Sequence, residues 1–131
     1  MPKFAVKKIE EIVGKVSFYK LEVEGKCPFD EFWEEIEKDG NMAKELYAIQ
    51  ARMGQIANMA HLPGDKYHKL EGTKDDWTEY ETKTKNLRVY LFQEEGTGKI
   101  IVSGGKKKDQ ASDIEQFRNL KSAYKKNKNK T

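Results

Sequence analysis

Five basic residues stand near the ends of successive predicted strands, and they are the residues of this chain best suited to chemistry. They are Lys83, Arg88 and the run Lys106, Lys107 and Lys108. Because an antiparallel meander brings strand ends together, these cationic groups can converge on one phosphate. Guanidinium and ammonium groups stabilise the charge that develops on a phosphorane. The pattern therefore predicts a phosphate-contacting surface.

Cleaving RNA without a metal places three demands on such a surface. The 2′-hydroxyl must lose its proton in line with the phosphorus, the phosphorane charge must be stabilised, and the 5′-oxygen must gain a proton. Arginine and lysine meet the second demand. The local candidates for proton transfer are Tyr67, His68, Glu79 and Glu81. Histidine changes charge near neutral pH, so His68 suits either proton-transfer role. The alternative is that each of these residues only decorates a sheet face.

A nucleotide phosphate loop is excluded, although Gly104-Gly105-Lys106 superficially suggests one. That loop needs a glycine five positions before the Gly-Lys pair and a serine or threonine after the lysine. Ile100 and Lys107 occupy those positions.

Metal and thiol chemistry also lack the residues they need. His61 and His68 lie seven residues apart, and the single Cys27 is remote from both in sequence. Nothing here matches a metal-ligand spacing, so neither a metal nor another cofactor is predicted. Cys27 precedes Pro28 and is interpreted as a half-buried residue at a helix entry rather than a nucleophile. No motif typical of a serine or cysteine triad occurs.

Charge is divided unevenly along the chain. Residues 99–131 carry ten Lys/Arg against three Asp/Glu, a balance of +7, whereas residues 1–98 carry fifteen against nineteen, a balance of −4. This asymmetry indicates a polyanionic partner, RNA or DNA first, because phosphate contacts are electrostatic and independent of sequence. For residues 125–130 a merely solubilising basic tail is the alternative.

Composition limits the class of protein. A length of 131 residues with 37% hydrophobic residues predicts one domain with a modest core. No apolar run approaches the roughly 20 residues that span a membrane, and the N-terminus has no apolar stretch typical of a signal peptide. One cysteine cannot form an internal disulfide. A cytoplasmic protein is therefore expected.

The first half of the chain predicts a strand and two helices. Residues 1–14 have no clear period and are interpreted as an N-terminal arm. Residues 16–24 partly alternate and predict a strand. Residues 28–39 place apolar side chains at spacings of three and four, and residues 42–60 repeat this pattern more clearly. A short connection between the two makes them an antiparallel helical hairpin.

The second half predicts a three-stranded antiparallel meander and a helix. Its strands are expected at 77–84, 87–92 and 99–103, after an irregular stretch, and the helix is expected to begin near Asp113. Strands and helices are segregated, so the fold class is α+β, with the helical hairpin packed on the meander. The other sheet face is expected to be free and polar. The predicted organisation is an arm over 1–14, one domain over 15–125 and a basic tail over 126–131.

The chain resembles the RelE/ParE superfamily of type II toxins, and especially its phage-derived, HigB-like branch. The resemblance covers roughly residues 66–120. It is carried by Lys69-Leu70, by Tyr80 to Lys83, by Asn86 to Phe92, by Ile100 to Gln110, and by the helix starting near Asp113. Two positions depart from the family pattern. Lys83 replaces an arginine in the Glu-x-Arg signature, and Asp113 or a neighbour stands where some members have a tyrosine.

The resemblance implies a small ribonuclease fold that cleaves translated mRNA in the ribosomal decoding site. A co-expressed antitoxin, often a helix-turn-helix protein, would silence it. Arg88 and Lys107 would then stabilise charge, and His68 or Glu81 would transfer protons. Phosphate binding would fall to Lys69, Lys83, Lys106 and Lys108. Two alternatives remain open. In the first, the chain is a non-catalytic interaction protein of the same fold. In the second, it is a gyrase inhibitor like some members of the superfamily.

Overall fold

The computed structural model describes residues 2–129 and has an α+β fold in which three helices cover a six-stranded mixed sheet. The strands are β1 (Phe4–Lys8), β2 (Phe18–Val23), β3 (Tyr67–Lys69), β4 (Glu79–Lys83), β5 (Leu87–Glu94) and β6 (Gly98–Lys106). The helices are α1 (Pro28–Asp39), α2 (Ala43–Ala57) and α3 (Gln110–Asn129), and a 3₁₀ turn over Lys107–Asp109 leads into α3.

The sheet has the strand order β1-β2-β6-β5-β4-β3. Only the β2–β6 pair is parallel, and the remaining pairs are antiparallel. A bulge in β6 shifts its register with β5, so that Tyr90 lies opposite Ser103 and Leu91 lies opposite Ile101. Beyond the bulge, Gly104 contacts Phe32 of α1, whereas Gly105 lies against Asp113 of α3. The bulge thus decides which β6 residue faces each helical layer.

The predicted helical hairpin is confirmed and covers one face of the sheet. Pro28 occupies the first helical turn of α1, where its missing N–H costs nothing, and Gly40 ends that helix with a φ of 79°. The buried stripes of both helices meet the sheet in one apolar core. Its members include Phe32, Ile36, Leu46, Ile49 and Met53 from the helices and Phe18, Val89, Leu91 and Ile101 from the strands.

The opposite face is not free, and the expectation that it would be is wrong. Helix α3 covers it through a second core formed by Leu21, Tyr90, Phe92, Ile100, Val102, Phe117 and Tyr124. The apolar spacing of α3 predicted a helix, but it did not show which surface the helix would cover. Polar side chains on this face lie toward the β4–β5 turn and at the opposite end of the strands, where Glu79 and Glu94 pair with α3.

The uneven charge of the sequence is largely neutralised within the fold. Basic side chains of α3 pair with acidic residues around β4 and β5. The pairs are Arg118–Glu79 at 2.8 Å, Lys121–Asp75 at 2.8 Å, Lys121–Glu79 at 3.1 Å, Lys128–Glu94 at 2.8 Å, and Lys125–Asp76. Much of the +7 balance therefore holds α3 on the sheet rather than attracting a partner. Through Asn129, the predicted basic tail is the last part of α3, and residues 130–131 lie outside the described residues.

Two strands lie where the sequence predicted none. The predicted arm contains β1, whose residue Phe4 lies opposite Val23 of β2. The predicted irregular stretch contains β3, whose residue His68 lies opposite Glu81. Both are short edge strands, so pairing with a neighbouring strand rather than side-chain alternation defines them. Among residues 2–129, no helix combines the length and apolarity needed to cross a bilayer.

Three carboxylates make the free energy of unfolding depend on pH in the acid range. Burial raises the pKa values of Glu45, Asp75 and Glu94, but hydrogen bonds and cations outweigh it, so each pKa lies below its ordinary value. Such groups stabilise the fold above their unfolded pKa values, and this contribution is lost as pH falls through the folded ones. Asp113 acts in the opposite sense, because burial raises its pKa.

We therefore expect the free energy of unfolding to fall as pH drops below about 4.5, where the unfolded carboxylates begin to bind protons. Urea denaturation at successive pH values measures this. Glu94→Gln should lower stability at neutral pH and flatten the acid limb of the curve. An acid limb equally steep in this variant would show that Glu94 does not contribute.

Candidate functional site

Two rows of polar side chains lie side by side on the α3 face of the sheet. The first row contains His68, Glu81 and Tyr90, since His68 lies opposite Glu81 and Glu81 lies opposite Tyr90. The second row contains Lys83 and Arg88, which lie opposite each other next to the β4–β5 turn. The rows are two residues apart along β4, roughly 7 Å. The register therefore brings four predicted site residues onto one face.

His68 is held between a backbone carbonyl and a carboxylate. Its Nδ1 lies 3.2 Å from the carbonyl oxygen of Gly64, and its Nε2 lies 3.4 Å from Oε1 of Glu81. Both oxygens can only accept, so a neutral imidazole, which has one N–H, donates to one of them and keeps the lone pair on its other nitrogen. The His68 side chain is 34% exposed, whereas that of Glu81 is 1% exposed. His68 is thus the accessible member, and Glu81 orients it.

Gln110 completes the environment of Glu81 and was missed by sequence reasoning. Its side-chain Nε2 donates to Oε2 of Glu81 at 2.6 Å. Gln110 is the first residue of α3, so this bond ties the start of the helix to the first row. A single glutamine near a helix start gives no sequence signal of such a contact. Only the 3₁₀ turn that redirects the chain after β6 brings it there.

Arg88 is buried more deeply than a residue that binds phosphate at the protein surface would be. It is 7% exposed, and its Nη1 donates to the carbonyl oxygens of Thr84 at 2.6 Å and Leu87 at 2.8 Å. The guanidinium is therefore fixed to the β4–β5 turn. It does not lie beneath the helical hairpin, because its register places it on the opposite face.

Two buried polar atoms of the rows, the hydroxyl of Tyr90 and Nε of Arg88, have no hydrogen-bond partner. Oε1 of Glu81 accepts no hydrogen bond and has only the 3.4 Å ion pair with Nε2 of His68. Burial raises the pKa of Tyr90, and the charges of Glu81 and Asp113 raise it further while Arg88 opposes them. Buried polar atoms without partners are rare in folded proteins and often mark functional sites. Together with the His68–Glu81 pair, these atoms mark the two rows as the candidate site.

Asp113 borders the site on the side of β6. A Cβ atom built on Gly105 would lie 1.9 Å from Oδ2 of Asp113, so a glycine is required for this close approach. Gly105 lies opposite Arg88, which places the carboxylate near the second row. Burial raises the pKa of Asp113, and the charge of Asp109 adds to the effect.

The remaining predicted cations divide between the two faces. Lys106 lies opposite Leu87 and Lys69 lies opposite Tyr80, so both point to the face that bears the helical hairpin. Lys107 and Lys108 are exposed on the 3₁₀ turn, and the Lys107 amide donates to the carbonyl oxygen of Asn86 at 2.8 Å. Of the cations predicted to lie together, Lys83 and Arg88 therefore do so, because they lie opposite each other on one face. The run 106–108 lies beside their turn and lines a cavity of about 510 Å³ with Met42 and Asn86.

Within residues 2–129, Lys83 and the run 106–108 form no ion pair, in contrast to the basic residues of α3. No group of three or more His, Cys, Asp or Glu side chains in this part of the chain could hold a metal ion. Comparisons of the chain with protein-family models, curated proteins and solved structures found no match.

Proposed function

We propose that this protein is an endoribonuclease that needs no metal, cleaves mRNA on the ribosome in the cytoplasm, and is the toxin of a type II toxin–antitoxin pair. One observation carries the proposal. An accessible imidazole, oriented by a buried carboxylate, lies one row from the Lys83–Arg88 pair. General acid–base catalysis and stabilisation of phosphorane charge are the two contributions that RNA cleavage requires of a protein.

In this mechanism Nε2 of His68 donates to Glu81, and Nδ1 exchanges its contact with the Gly64 carbonyl oxygen for the 2′-hydroxyl and takes its proton. The 2′-oxygen attacks the phosphorus, and the P–O5′ bond breaks as the 5′-oxygen takes a proton from an ammonium group or water. The products are a 2′,3′-cyclic phosphate and a 5′-hydroxyl. Arg88, Lys83 and Lys107 stabilise the additional negative charge of the phosphorane. Glu81 holds the imidazole and stabilises its protonated form, as a buried carboxylate does for a catalytic histidine.

The ribosome and the antitoxin are part of the proposal because of the resemblance to RelE/ParE toxins of the HigB-like branch. The α+β fold, Glu81 on β4 and Arg88 on β5 support that resemblance, whereas Lys83 stands where the family signature has an arginine. The unpaired run Lys106 to Lys108 offers a surface for the phosphates of mRNA or ribosomal RNA. The expected protein partner is a helix-turn-helix antitoxin.

A non-catalytic interaction protein is the second candidate, and the burial of two predicted catalytic residues favours it. Arg88 is 7% exposed and Glu81 is 1% exposed. In that case the exposed lysines would bind nucleic acid or a partner without bond cleavage.

Induced expression of three forms of the protein in bacteria separates the candidates. The wild type should stop growth and cut mRNA within codons. His68→Asn should lose cleavage by about a hundredfold, because an amide is polar and can form hydrogen bonds but cannot transfer a proton. His61→Asn is the matched control, since His61 is exposed and belongs to neither row.

The outcomes of this experiment are distinct. A wild type that neither arrests growth nor cuts mRNA would support the non-catalytic protein. Growth arrest with DNA-damage signalling and intact mRNA would indicate gyrase inhibition. Equal cleavage by His68→Asn would remove His68 from the mechanism.

A further inference from the structure

One carboxylate on the far side of the sheet holds the turn that carries the candidate site. Glu45, in the first turn of α2, accepts hydrogen bonds from the Thr84 hydroxyl, the Asn86 amide at 2.8 Å and the Asn86 side chain at 2.8 Å. All of these donors belong to the β4–β5 turn, 39 to 41 residues away in sequence. Glu45 thus holds residues Thr84 and Asn86 of this turn together through one carboxylate.

The same turn fixes two of the cations assigned to phosphate chemistry. Arg88 donates from Nη1 to the carbonyl oxygens of Thr84 and Leu87. The Lys107 amide donates to the carbonyl oxygen of Asn86. Thr84 also closes the turn, because its amide donates to the Leu87 carbonyl oxygen at 3.0 Å and its hydroxyl accepts from the Leu87 amide at 3.1 Å. The position of each cation therefore depends on the position of the turn.

We propose that Glu45 is a positioning residue, which fixes Arg88 and Lys107 relative to each other through the β4–β5 turn. The inference rests on the proposed ribonuclease function. Glu45 does not touch the substrate in this account, because its oxygens are occupied by the turn. Burial raises the pKa of Glu45, but the bonds from Thr84 and Asn86 and the charge of Lys85 lower it overall, so the carboxylate is ionised at neutral pH.

The test compares Glu45→Ala, Glu45→Gln and Glu37→Ala with the wild type. Glu45→Ala removes every acceptor, whereas Glu45→Gln keeps one oxygen for the turn and guards against loss of folding in the alanine variant. Glu37→Ala is the matched control, because Glu37 is an exposed glutamate of α1 and its loss changes the net charge equally.

Two readouts are measured on each protein. In hydrogen exchange, Glu45→Ala should speed the Asn86 and Lys107 amides by about tenfold or more, because protection follows local opening. The Gln93 amide, which donates to Thr78 at the other end of β5, serves as an internal reference and should not change. In single-turnover cleavage of ribosome-bound mRNA, Glu45→Ala should lower the rate by about ten- to a hundredfold. Glu45→Gln should recover most of both effects.

Unchanged exchange at Asn86 and Lys107 in a folded Glu45→Ala protein would overturn the inference. So would faster exchange combined with wild-type cleavage, because the turn would then not position the reaction. A uniform increase in exchange that includes Gln93 would show global destabilisation and would also contradict a local role. If the wild type itself cleaves no mRNA, the proposed function fails, and the positioning role for that reaction fails with it. That outcome differs from a Glu45 defect, because it is already present in the unmutated protein.

Discussion

Arg88→Ala is expected to lower the cleavage of ribosome-bound mRNA by roughly a hundredfold to a thousandfold, the usual cost of removing a preorganised donor to a developing oxyanion. Arg88 is the only arginine in the two rows, and Lys83 lies opposite it on the same face. A planar guanidinium can donate two parallel hydrogen bonds to phosphate oxygens, which an ammonium group cannot. Single-turnover kinetics with the purified protein measure this effect.

The Arg88 variant must be shown to be folded, since the loss of Nη1 leaves the Thr84 and Leu87 carbonyl oxygens without that donor. We expect a cost of about 1–3 kcal/mol from this change, measured by urea denaturation. Arg88→Lys keeps the charge but not the two parallel donors of the guanidinium, so its cleavage rate should lie between those of the wild type and Arg88→Ala. Lys126→Ala controls for net charge, because Lys126 is exposed on α3. A folded Arg88→Ala protein that cleaves within threefold of the wild-type rate would contradict the assignment.

Lys121→Met is expected to destabilise the protein by about 3–5 kcal/mol, because it removes one partner from a buried ion network. The Lys121 side chain is 1% exposed, and its ammonium group lies 2.8 Å from Asp75 and 3.1 Å from Glu79. It also donates to the carbonyl oxygen of Trp77. Methionine keeps the aliphatic stem, so the variant isolates the loss of the charge. Urea denaturation at neutral pH measures the change.

Lys125→Met is the matched control for Lys121. Lys125 pairs with Asp76, whose side chain is 78% exposed, so solvent screens the pair and its loss should change stability little. A Lys121→Met protein as stable as the control would show that Glu79 is sufficiently stabilised by its bonds from Arg118 and Thr73. The ion network would then not be what holds α3 on the sheet.

The parts of the fold with strong periodicity could be predicted from sequence. The stripe from Leu46 to Ile56 and the meander strands were foreseen because burial of one face imposes its period on the residues. The strands β1 and β3 could not be foreseen, because edge strands of five and three residues depend on their neighbours for pairing.

The candidate site was foreseen only in part. Arg88 and Lys83 were correctly placed together, since residues flanking a tight turn between paired strands face each other. The placement of Lys106 on the opposite face follows from the β6 bulge, which leaves no clear sequence signal. The contacts of Gln110 and Glu45 join elements 29 or more residues apart, so they depend on the assembled fold.

The chemistry of the cleaved ends tests the central claim most directly. Purified protein is mixed with a ribosome–mRNA complex, and the ends of the fragments are mapped and identified. The mechanism predicts cuts within the codon in the decoding site, with 2′,3′-cyclic phosphate and 5′-hydroxyl ends, from the wild type but not from folded Arg88→Ala. Intact mRNA with the wild-type protein, or fragments with 5′-phosphate and 3′-hydroxyl ends, would contradict it.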